Sequence, residues 1–296
     1  MIPHLLNLTT SNSHKLTTSM NTDMKKIAVI TGASSGIGRS SAAMLVAKGY
    51  QVYDLSRSEN PQPGVTHIAC DVTKAETIQE AMNRIQQEAG RIDLLLLSAG
   101  FGIAGAIEFT QETEMQRQFD VNVYGPIRVI QAALPIMRNQ QARSLGSGLC
   151  RSEERGRIVF ISSMAGVFSI PYQSMYSASK AAINSYAFAL RNELKDYRIR
   201  VSCVMPGDVK TNFKRSTDLN GSQVYPKMKG AIEQMIKDEE NGLTSEAVAR
   251  RVMKACTRRS PRLYYTSDLL SDLECVAKRL VSANLAARVV ALMYHA

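Results

Sequence analysis

A tyrosine and a lysine four residues apart, Tyr176 and Lys180, form the most reactive pairing in the sequence. On a helix this spacing places both side chains on one face, one turn apart. The lysine ammonium would favour the phenolate and lower the tyrosine pKa from its usual value of about 10. Such a tyrosine can donate a proton to a carbonyl oxygen or accept one from an alcohol. Ser163 could bind the same substrate oxygen, although Tyr-x-x-x-Lys is also common on ordinary amphipathic helices.

A glycine-rich turn between a strand and a helix is the second chemical feature. The apolar, β-branched run at residues 27–31 predicts a buried parallel strand. The turn that follows it, residues 32–38, reads Gly-Ala-Ser-Ser-Gly-Ile-Gly, and a helical pattern then continues to Lys48. Backbone N–H groups in such a turn can bind a pyrophosphate at the helix N-terminus. The glycine spacing differs from the commoner Gly-x-Gly-x-x-Gly fingerprint, so the turn alone is a weak signal.

Strands and helices alternate along the rest of the chain. Further strands are predicted at residues 51–56, 65–70, 93–97, 157–162 and 200–205. Helices are predicted at residues 74–89, at 114–138 with a kink or junction near Pro126, and from the Tyr176 region to about residue 196. This alternation indicates an α/β fold with a doubly wound parallel sheet of about seven strands.

Five separated motifs resemble, in order and spacing, those of the short-chain dehydrogenase/reductase superfamily. They are Thr31 with the glycine turn, Asn122, Ser163, Tyr176 with Lys180, and Pro206-Gly207. The resemblance covers residues 25–213 and implies a Rossmann-type fold that transfers hydride between NAD(P) and a carbonyl or an alcohol. One departure is Leu97-Ser98-Ala99-Gly100, where the family has Asn-Asn-Ala-Gly. We therefore expect Ser98 to supply any hydrogen bond that the missing asparagine would make.

The resemblance implies a role for each catalytic residue. Tyr176 would be the proton donor or acceptor, and Lys180 would lower its pKa and bind the nicotinamide ribose. Ser163 would polarise the substrate oxygen, and Asn122 would hold a water that connects Lys180 to bulk solvent. The implied cofactor-binding residues are Gly32, Ser34, Ser35, Gly36, Ile37, Gly38, Ser56, Arg57, Asp71, Val72, Ser98, Ala99, Gly100, Asn122, Tyr176, Lys180, Pro206, Gly207, Val209 and Thr211.

The choice between NAD and NADP depends on the end of the second strand. Asp54 is a candidate for the ribose hydroxyl, but the family's spacing places Ser56 at the discriminating position. Arg57 follows directly, and a guanidinium binds a 2′-phosphate in a bidentate way, so we expect NADPH rather than NADH. Asp71 could lie by the adenine ring, cap a helix, or do both. Arg39 could add positive charge near the cofactor or lie on a solvated helix face.

Residues 208–242 form an excursion after the sixth strand. Ligands of open α/β sheets bind beyond the carboxyl ends of the strands, so this excursion is a candidate lid. The substrate wall is expected to include Gly102, Ile103, Met164, Val167, Phe168 and Tyr172. These residues favour an apolar ketone or aldehyde, resembling a steroid, a retinoid or an acyl chain. Lys210, Lys214 and Arg215 leave room for an anionic head group.

Two alternatives to an oxidoreductase remain open. One is a nicotinamide-binding regulator without turnover, which the intact set of Asn122, Ser163, Tyr176 and Lys180 disfavours. The other is an epimerase or dehydratase of the same fold, which would keep the tyrosine and the lysine. Consumption of NADPH against a panel of carbonyl compounds would separate all three.

Composition and charge restrict the remaining classes. The chain has 296 residues, of which 45% are hydrophobic and 21% charged, as is ordinary for a globular protein. The five scattered cysteines lack a Cys-x-x-Cys pair and indicate a reducing, cytoplasmic compartment. The four histidines show no metal-ligand spacing, so we expect no metal. The net charge of +10 fits a solvated basic surface, and no motif for nucleic acid accompanies it.

The two ends of the chain differ from its centre. Residues 1–23 predict a disordered tail without a secretory signal, and residues 24–268 predict a single NADP-binding catalytic domain. Residues 139–155 are polar and predict a surface loop. Residues 269–296 predict a C-terminal extension of two short helices, of which the second carries an apolar stripe. The stripe consists of Leu285, Val289, Leu292 and Met293.

The apolar stripe has two interpretations. It could pack beside the lid or at a subunit contact, for example in a homodimer. It could instead rest on an anionic membrane surface, with basic residues near the lipid head groups. The second interpretation would add peripheral membrane association to a cytoplasmic enzyme.

Overall fold

The structure is a computed structural model that describes residues 25–145, 152–211 and 215–295. The predicted disordered tail and Lys214 lie outside the described residues, as does the side chain of Arg215.

Within these residues, seven parallel strands form the central sheet, in the order β13-β9-β8-β4-β1-β2-β3. The strands are β1 (Ile27–Thr31), β2 (Gln51–Ser56), β3 (Val65–Ala69), β4 (Leu94–Leu97), β8 (Gly156–Ile161), β9 (Ile199–Met205) and β13 (Tyr264–Thr266). Strands β1 and β4 are buried along their whole length, as expected of central parallel strands covered on both faces. The strand order reverses between β1 and β4, where ligands bind in doubly wound sheets. The predicted fold class is therefore confirmed.

Helices cover both faces of the sheet. They are α1 (Gly36–Ala47), α2 (Ala75–Ala89), α3 (Glu112–Phe119), α4 (Gly125–Asn139), α5 (Ser174–Glu193), α6 (Met228–Glu240), α7 (Ser245–Thr257), α8 (Leu269–Leu280) and α9 (Ala283–Met293). Buried side chains of α2, α4 and α5 form one apolar layer with the sheet. Those of α1 and α7 form the other.

The single helix predicted at residues 114–138 is divided into α3 and α4 by a π-helical turn at Asp120–Tyr124. Pro126 lies where this π-helical turn joins α4, which agrees with the predicted kink or junction. The π-helical turn buries Asn122, and such turns are frequent at functional sites.

The predicted surface loop at residues 139–155 contains regular structure at both ends, so that prediction is wrong in part. Strand β6 (Arg143–Leu145) pairs antiparallel with β7 (Ser152–Glu154). Arg143 donates from Nε to Asp93 Oδ1 at 2.8 Å, which ties this hairpin to the start of β4. Asp93 is buried and also pairs with Arg91 at 2.7 Å, so two guanidinium groups compensate its charge.

Two short strands of the predicted lid pair in parallel with strands outside it. Strand β10 (Val209–Lys210) pairs with β12 (Leu243–Thr244), and β11 (Arg215–Thr217) pairs with β5 (Gly102–Ala104). Along the chain, helix α6 follows β11 and precedes β12. The two predicted C-terminal helices are present as α8 and α9, and Ser282 caps α9 by accepting the Leu285 N–H. No helix in the described part of the chain is long and apolar enough to cross a membrane.

Candidate active site

The glycine turn brings the chain back on itself at the carboxyl end of β1. Gly32 adopts φ +74°, and a Cβ at Gly38 would lie 2.3 Å from the Gly32 carbonyl oxygen. A side chain at Gly38 is therefore impossible without moving the turn. Ser35 occupies the N-cap of α1 but makes no side-chain capping hydrogen bond. The first N–H groups of α1 consequently remain available for an anion such as a pyrophosphate.

Asp54 holds this turn in place instead of lining the cavity described below. Its Oδ1 accepts the Ala33 N–H at 2.8 Å, and its Oδ2 accepts the Ser56 hydroxyl at 2.6 Å. Both Asp54 oxygens are thus engaged in the interior, whereas Ser56 and Arg57 line the cavity. This geometry supports the expected choice of Ser56 over Asp54 at the discriminating position.

Arg39 has a structural role that neither sequence interpretation included. Its guanidinium donates to the carbonyl oxygens of Asn60 at 3.0 Å and Pro61 at 3.1 Å. Asn60 in turn donates from Nδ2 to the Ser34 carbonyl oxygen at 2.7 Å. The loop after β2 is therefore fastened to the glycine turn, and Arg39 does not line the cavity.

Asp71 and Val72 line the same cavity at the carboxyl end of β3. Asp71 accepts two hydrogen bonds from Thr73, through the N–H at 3.0 Å and the hydroxyl at 2.8 Å. Partial burial works to raise the Asp71 pKa, but these hydrogen bonds and the nearby charge of Arg57 hold the pKa below its usual value. Asp71 therefore stays ionised and stabilises its turn with Thr73. It also lines the cavity, so it remains able to contact a cofactor.

The segment after β4 is held by a residue other than the expected one. The N–H groups of Ser98 and Ala99 donate to the Thr31 hydroxyl at 3.1 and 3.2 Å. Thr31, the threonine that precedes the glycine turn, thus couples β1 to β4. Among the described residues the Ser98 side chain makes no hydrogen bond, so the expected contribution of its hydroxyl is not seen.

Asn122 is buried, and its carboxamide is oriented by three hydrogen bonds. Its Oδ1 accepts the Phe101 N–H at 3.1 Å, and its Nδ2 donates to the Phe101 carbonyl oxygen at 2.9 Å and to Ser179 Oγ at 3.2 Å. A Cβ at Gly100 would lie 3.3 Å from Asn122 Oδ1 and 3.6 Å from Lys180 Nζ. The structure therefore brings Asn122 and Lys180 together beside Gly100.

Tyr176 and Lys180 lie in the first two turns of α5, with Lys180 Nζ 5.7 Å from the centroid of the Tyr176 ring. Ser163 follows β8, and its hydroxyl oxygen accepts the Ala165 N–H at 3.0 Å. All three side chains line one cavity, so the predicted proton donor, its lysine and the oxygen-binding serine are brought together.

Burial lowers the pKa of Lys180 to about 8, because desolvation disfavours the charged ammonium. The ammonium keeps one hydrogen bond among the described residues, to the Ile161 carbonyl oxygen at 3.0 Å. The neighbouring thiol of Cys203 has its own pKa raised to about 12 by burial, so it remains neutral. In the part of the chain that the structure describes, Lys180 therefore has no anionic partner, and its ammonium has donors left for a ligand.

Three small residues that the sequence analysis missed hold this constellation together. Ser162 donates to the Lys180 carbonyl oxygen at 3.0 Å, and Ser179 donates to the Tyr176 carbonyl oxygen at 2.7 Å. A Cβ at Gly166 would lie 2.7 Å from the Lys180 carbonyl carbon, so only glycine allows this close approach. The sequence does show small residues next to Ser163 and Lys180, and these could have indicated close packing around the two catalytic residues.

The cavity that unites these residues has a volume of about 900 Å³. It is lined by every predicted cofactor-binding residue except Gly38 and Asn122, which lie behind its wall. No group of three His, Cys, Asp or Glu side chains that could hold a metal ion occurs in the described segments.

The apolar wall of the cavity differs from the prediction. Met164 and Phe168 line it, but Gly102, Ile103, Val167 and Tyr172 do not. Gly102 and Ile103 are buried in the pairing of β5 with β11, and Tyr172 packs edge-on against Tyr225 with ring centroids 6.3 Å apart. Most of the wall comes from the C-terminal helices, through Leu270, Ala277, Val281, Leu285, Ala286, Val289, Val290 and Met293.

The lid contributes mainly polar residues to the cavity. They are Asp208, Val209, Thr211, Glu239, Asn241 and Gly242. The expected cationic contribution is absent from what the structure describes, because Lys210 is exposed and does not line the cavity. Two charged residues of α8 line it instead, Glu274 and Lys278, with Lys278 Nζ 5.0 Å from the centroid of the Phe168 ring.

Comparisons with known proteins agree with this geometry. The family model described as short chain dehydrogenase matches residues 26–221. The chain is 35% identical over 242 residues to a 3-ketodihydrosphingosine reductase of Bacteroides thetaiotaomicron, covering 80% of this chain and 85% of that one. It is 28% identical over 258 residues to an NADPH-dependent 3-dehydrocapnine reductase of Ornithobacterium rhinotracheale, covering 81% of this chain and 87% of that one.

A solved structure shows the same fold. A short-chain dehydrogenase from Streptomyces avermitilis superimposes with a TM-score of 0.73 at 28% identity, covering 91% of this chain and 97% of that one. The family match extends over the glycine turn, Asn122, Ser163, Tyr176, Lys180 and Pro206-Gly207. The chain belongs to the short-chain dehydrogenase/reductase superfamily and is an oxidoreductase that acts on a carbonyl or alcohol group with NAD(P).

Proposed function

We propose that this oxidoreductase uses NADPH to reduce a ketone or aldehyde carried on a long apolar chain. One observation carries the proposal: the cavity that contains Ser163, Tyr176 and Lys180 continues into an apolar wall built by α8 and α9. Apolar walls bind a chain by removing its surface from water, at roughly 25 cal/mol per Å². The names of the reductases from Bacteroides and Ornithobacterium support a substrate of this class.

The chain's own residues provide the cofactor site. The uncapped start of α1, with Ser34, Ser35 and Ile37, would hold the pyrophosphate. Ser56 and Arg57 would hold the 2′-phosphate that distinguishes NADPH from NADH. Val72, Pro206, Gly207, Val209 and Thr211 would surround the two rings of the cofactor. When bound, reduced nicotinamide supplies the hydride.

The catalytic residues would then act on the substrate oxygen. The Ser163 oxygen already accepts the Ala165 N–H, so its O–H proton is free to point at a substrate carbonyl. Tyr176 would deliver its phenolic proton to the same oxygen as that oxygen becomes negative. Lys180 would stabilise the resulting phenolate and bind the ribose hydroxyls. Asn122 would hold the water through which Lys180 exchanges protons with solvent.

We further propose that Glu274 recognises a positive amino group on the substrate, although Lys278 of the same helix brings the opposite charge to the cavity. Glu274 makes no hydrogen bond or ion pair with any described residue, and the neighbouring residue Cys275 contacts Met164 with sulfur atoms 3.8 Å apart. Met164 adjoins Ser163, so Glu274 lies toward the catalytic end of the apolar wall. A carboxylate there would recognise an ammonium close to the reacting carbonyl.

The test measures NADPH oxidation with 3-ketodihydrosphingosine and with simple ketones of increasing chain length. We expect kcat/KM to rise by up to about fourfold for each added methylene until the apolar wall is covered. The enzyme should consume much less NADH under the same conditions. Absence of turnover with every long-chain ketone would overturn the proposal and favour the epimerase, dehydratase or regulator.

A further inference from the structure

The C-terminal helix pair, α8 and α9, carries an unusual amount of exposed apolar surface. More than half of the large apolar side chains that are exposed within the described residues lie between positions 269 and 293. Leu280 is 81% exposed and Leu292 is 76% exposed. The outward residues that do not line the cavity are Leu269, Leu273, Val276, Leu280 and Leu292. Leu269, Leu273, Val276 and Leu280 follow helical spacing on one face of α8, and an exposed apolar face of this kind indicates an interaction site.

The mouth of the cavity opens on the same surface. Several residues both line the cavity and remain exposed, namely Leu270, Val281, Leu285, Val289 and Met293. The opposite side of α9 is anchored to the lid, because Tyr294 is buried against Ala231 and Met235 of α6. The pair is therefore fixed to the enzyme along one side and apolar along the other, with the cavity opening through it.

We propose that α8 and α9 rest on an anionic lipid surface and that the substrate passes from the lipid into the cavity between them. This inference rests on the proposed function, because it assigns a source to the long-chain substrate. A helix with one apolar face and basic flanks lies in the interfacial plane of a bilayer with that face about 5–10 Å deep. The lipid would cover both the outward residues and the exposed rim of the mouth.

Charge and access favour lipid over a protein partner. Helix α9 carries Arg288 as its only charged residue, and Arg288 is exposed. On α8, Asp272 is exposed but accepts the Thr266 hydroxyl at 2.7 Å, and Glu274 and Lys278 line the cavity. A second copy of the chain seated on this surface would cover the mouth, whereas a fluid lipid layer covers it and also supplies the substrate.

The experiment is flotation of the full chain with vesicles of phosphatidylcholine and phosphatidylglycerol at low salt. We expect the wild type to float, and to float less with phosphatidylcholine alone or at high salt. The double variant Leu280→Asp/Leu292→Asp should reduce the floated fraction at least tenfold, roughly the loss expected for placing two charges in the interface. Phe188→Asp, an exposed apolar position on α5, is the matched control and should float like the wild type.

Activity measurements separate this inference from the proposed function. The double variant should keep wild-type turnover of a short, water-soluble ketone and lose turnover of a long-chain ketone supplied in vesicles. Wild-type protein that stays in the soluble fraction, or a double variant that floats equally well, would overturn the inference. A wild-type dimer that the same double variant converts to a monomer would also overturn it, because the surface would then join two copies. The flotation and oligomer results do not depend on whether any ketone is reduced, so they can fail independently of the proposed function.

Discussion

The ammonium of Lys180 lies 5.7 Å from the centroid of the Tyr176 ring, while its hydrogen bond goes to the carbonyl oxygen of Ile161. The lysine is thus positioned by the end of β8 and not by a carboxylate. Its charge is available to the phenol on one side and to a ligand on the other. Lys180 can therefore act on the proton of Tyr176, and its own buried charge carries a stability cost.

Tyr176→Phe removes only the phenolic hydroxyl. If Tyr176 protonates the substrate oxygen, kcat should fall by roughly 10²–10⁴ while NADPH affinity, measured by fluorescence titration, changes little. Tyr172→Phe is the matched control, because Tyr172 packs against Tyr225 and does not line the cavity. Turnover by Tyr176→Phe close to that of Tyr172→Phe would remove the tyrosine from the mechanism.

Lys180→Met should stabilise the cofactor-free protein near pH 7 while abolishing turnover. The Lys180 pKa is lowered to about 8, so the unfolded chain binds more protons than the folded one between that pH and the usual lysine pKa. The wild-type free energy of unfolding should therefore rise with pH between about 8 and the usual lysine pKa. Below pH 8 the folded protein carries the full free-energy cost of burying the ammonium. That cost is on the order of 3 kcal/mol.

Urea denaturation of both proteins at several pH values checks this prediction. The stability difference between Lys180→Met and wild type should be largest below pH 8 and should shrink as the pH approaches the usual lysine pKa. Tyr50, whose pKa burial raises to about 12, titrates in both proteins and cancels in the difference. A constant difference would show that Lys180 is not the group responsible.

The parts of the site that the sequence predicted well are those whose geometry is local. Tyr176 and Lys180 face one cavity because they lie one helical turn apart, and Gly38 is required by its close approach to the Gly32 carbonyl oxygen in the same turn. The doubly wound sheet followed from the alternation of apolar runs and helical patterns. These features depend on spacing along the chain, which a sequence displays directly.

The errors concern contacts between distant segments. The apolar wall was placed on Gly102, Ile103, Val167 and Tyr172, which are near the motifs along the chain. The actual wall depends on α8 folding back, through a contact of Cys275 with Met164 more than a hundred residues away. An amphipathic pattern shows that a helix has an apolar side but not which surface that side meets. For the same reason the sequence did not show the hydrogen bond between the Ser98 N–H and the Thr31 hydroxyl, which joins two distant segments.

Arg57→Leu should weaken NADPH binding by about 10- to 100-fold and leave NADH binding almost unchanged. The reason is that a charge-assisted hydrogen bond to the 2′-phosphate is worth roughly 1.5–3 kcal/mol. Arg250→Leu is the matched control, because Arg250 is exposed and does not line the cavity. Equal losses for both cofactors in Arg57→Leu would contradict the assignment.

The structure also limits how far cofactor preference can be changed at the neighbouring position. Ser56 donates to the buried Asp54 carboxylate at 2.6 Å, so Ser56→Asp would place two carboxylates side by side. The two like charges would repel each other in the interior next to the glycine turn. We therefore expect Ser56→Asp to lower the thermal stability and to improve NADH binding only slightly, which calorimetry and titration would measure.

Glu274→Gln removes a charge from the cavity while keeping the shape of the side chain. If Glu274 recognises an amino group on the substrate, KM for a long-chain amino ketone should rise at least about tenfold, with little change for the same ketone lacking the amine. Asp272→Asn on the same helix is the control, because Asp272 is exposed and bonded to Thr266.

The pH dependence gives this last prediction a second readout. Burial, followed by the nearby charges of Asp268 and Asp208, raises the pKa of Glu274 above its usual value. As the pH falls through that raised pKa, the carboxyl group becomes protonated and loses its attraction for an ammonium. KM for the amino ketone should therefore increase toward acidic pH in the wild type and stay flat in Glu274→Gln. An identical pH profile for the two proteins would exclude Glu274 from substrate recognition, while leaving reduction of the neutral ketone unaffected.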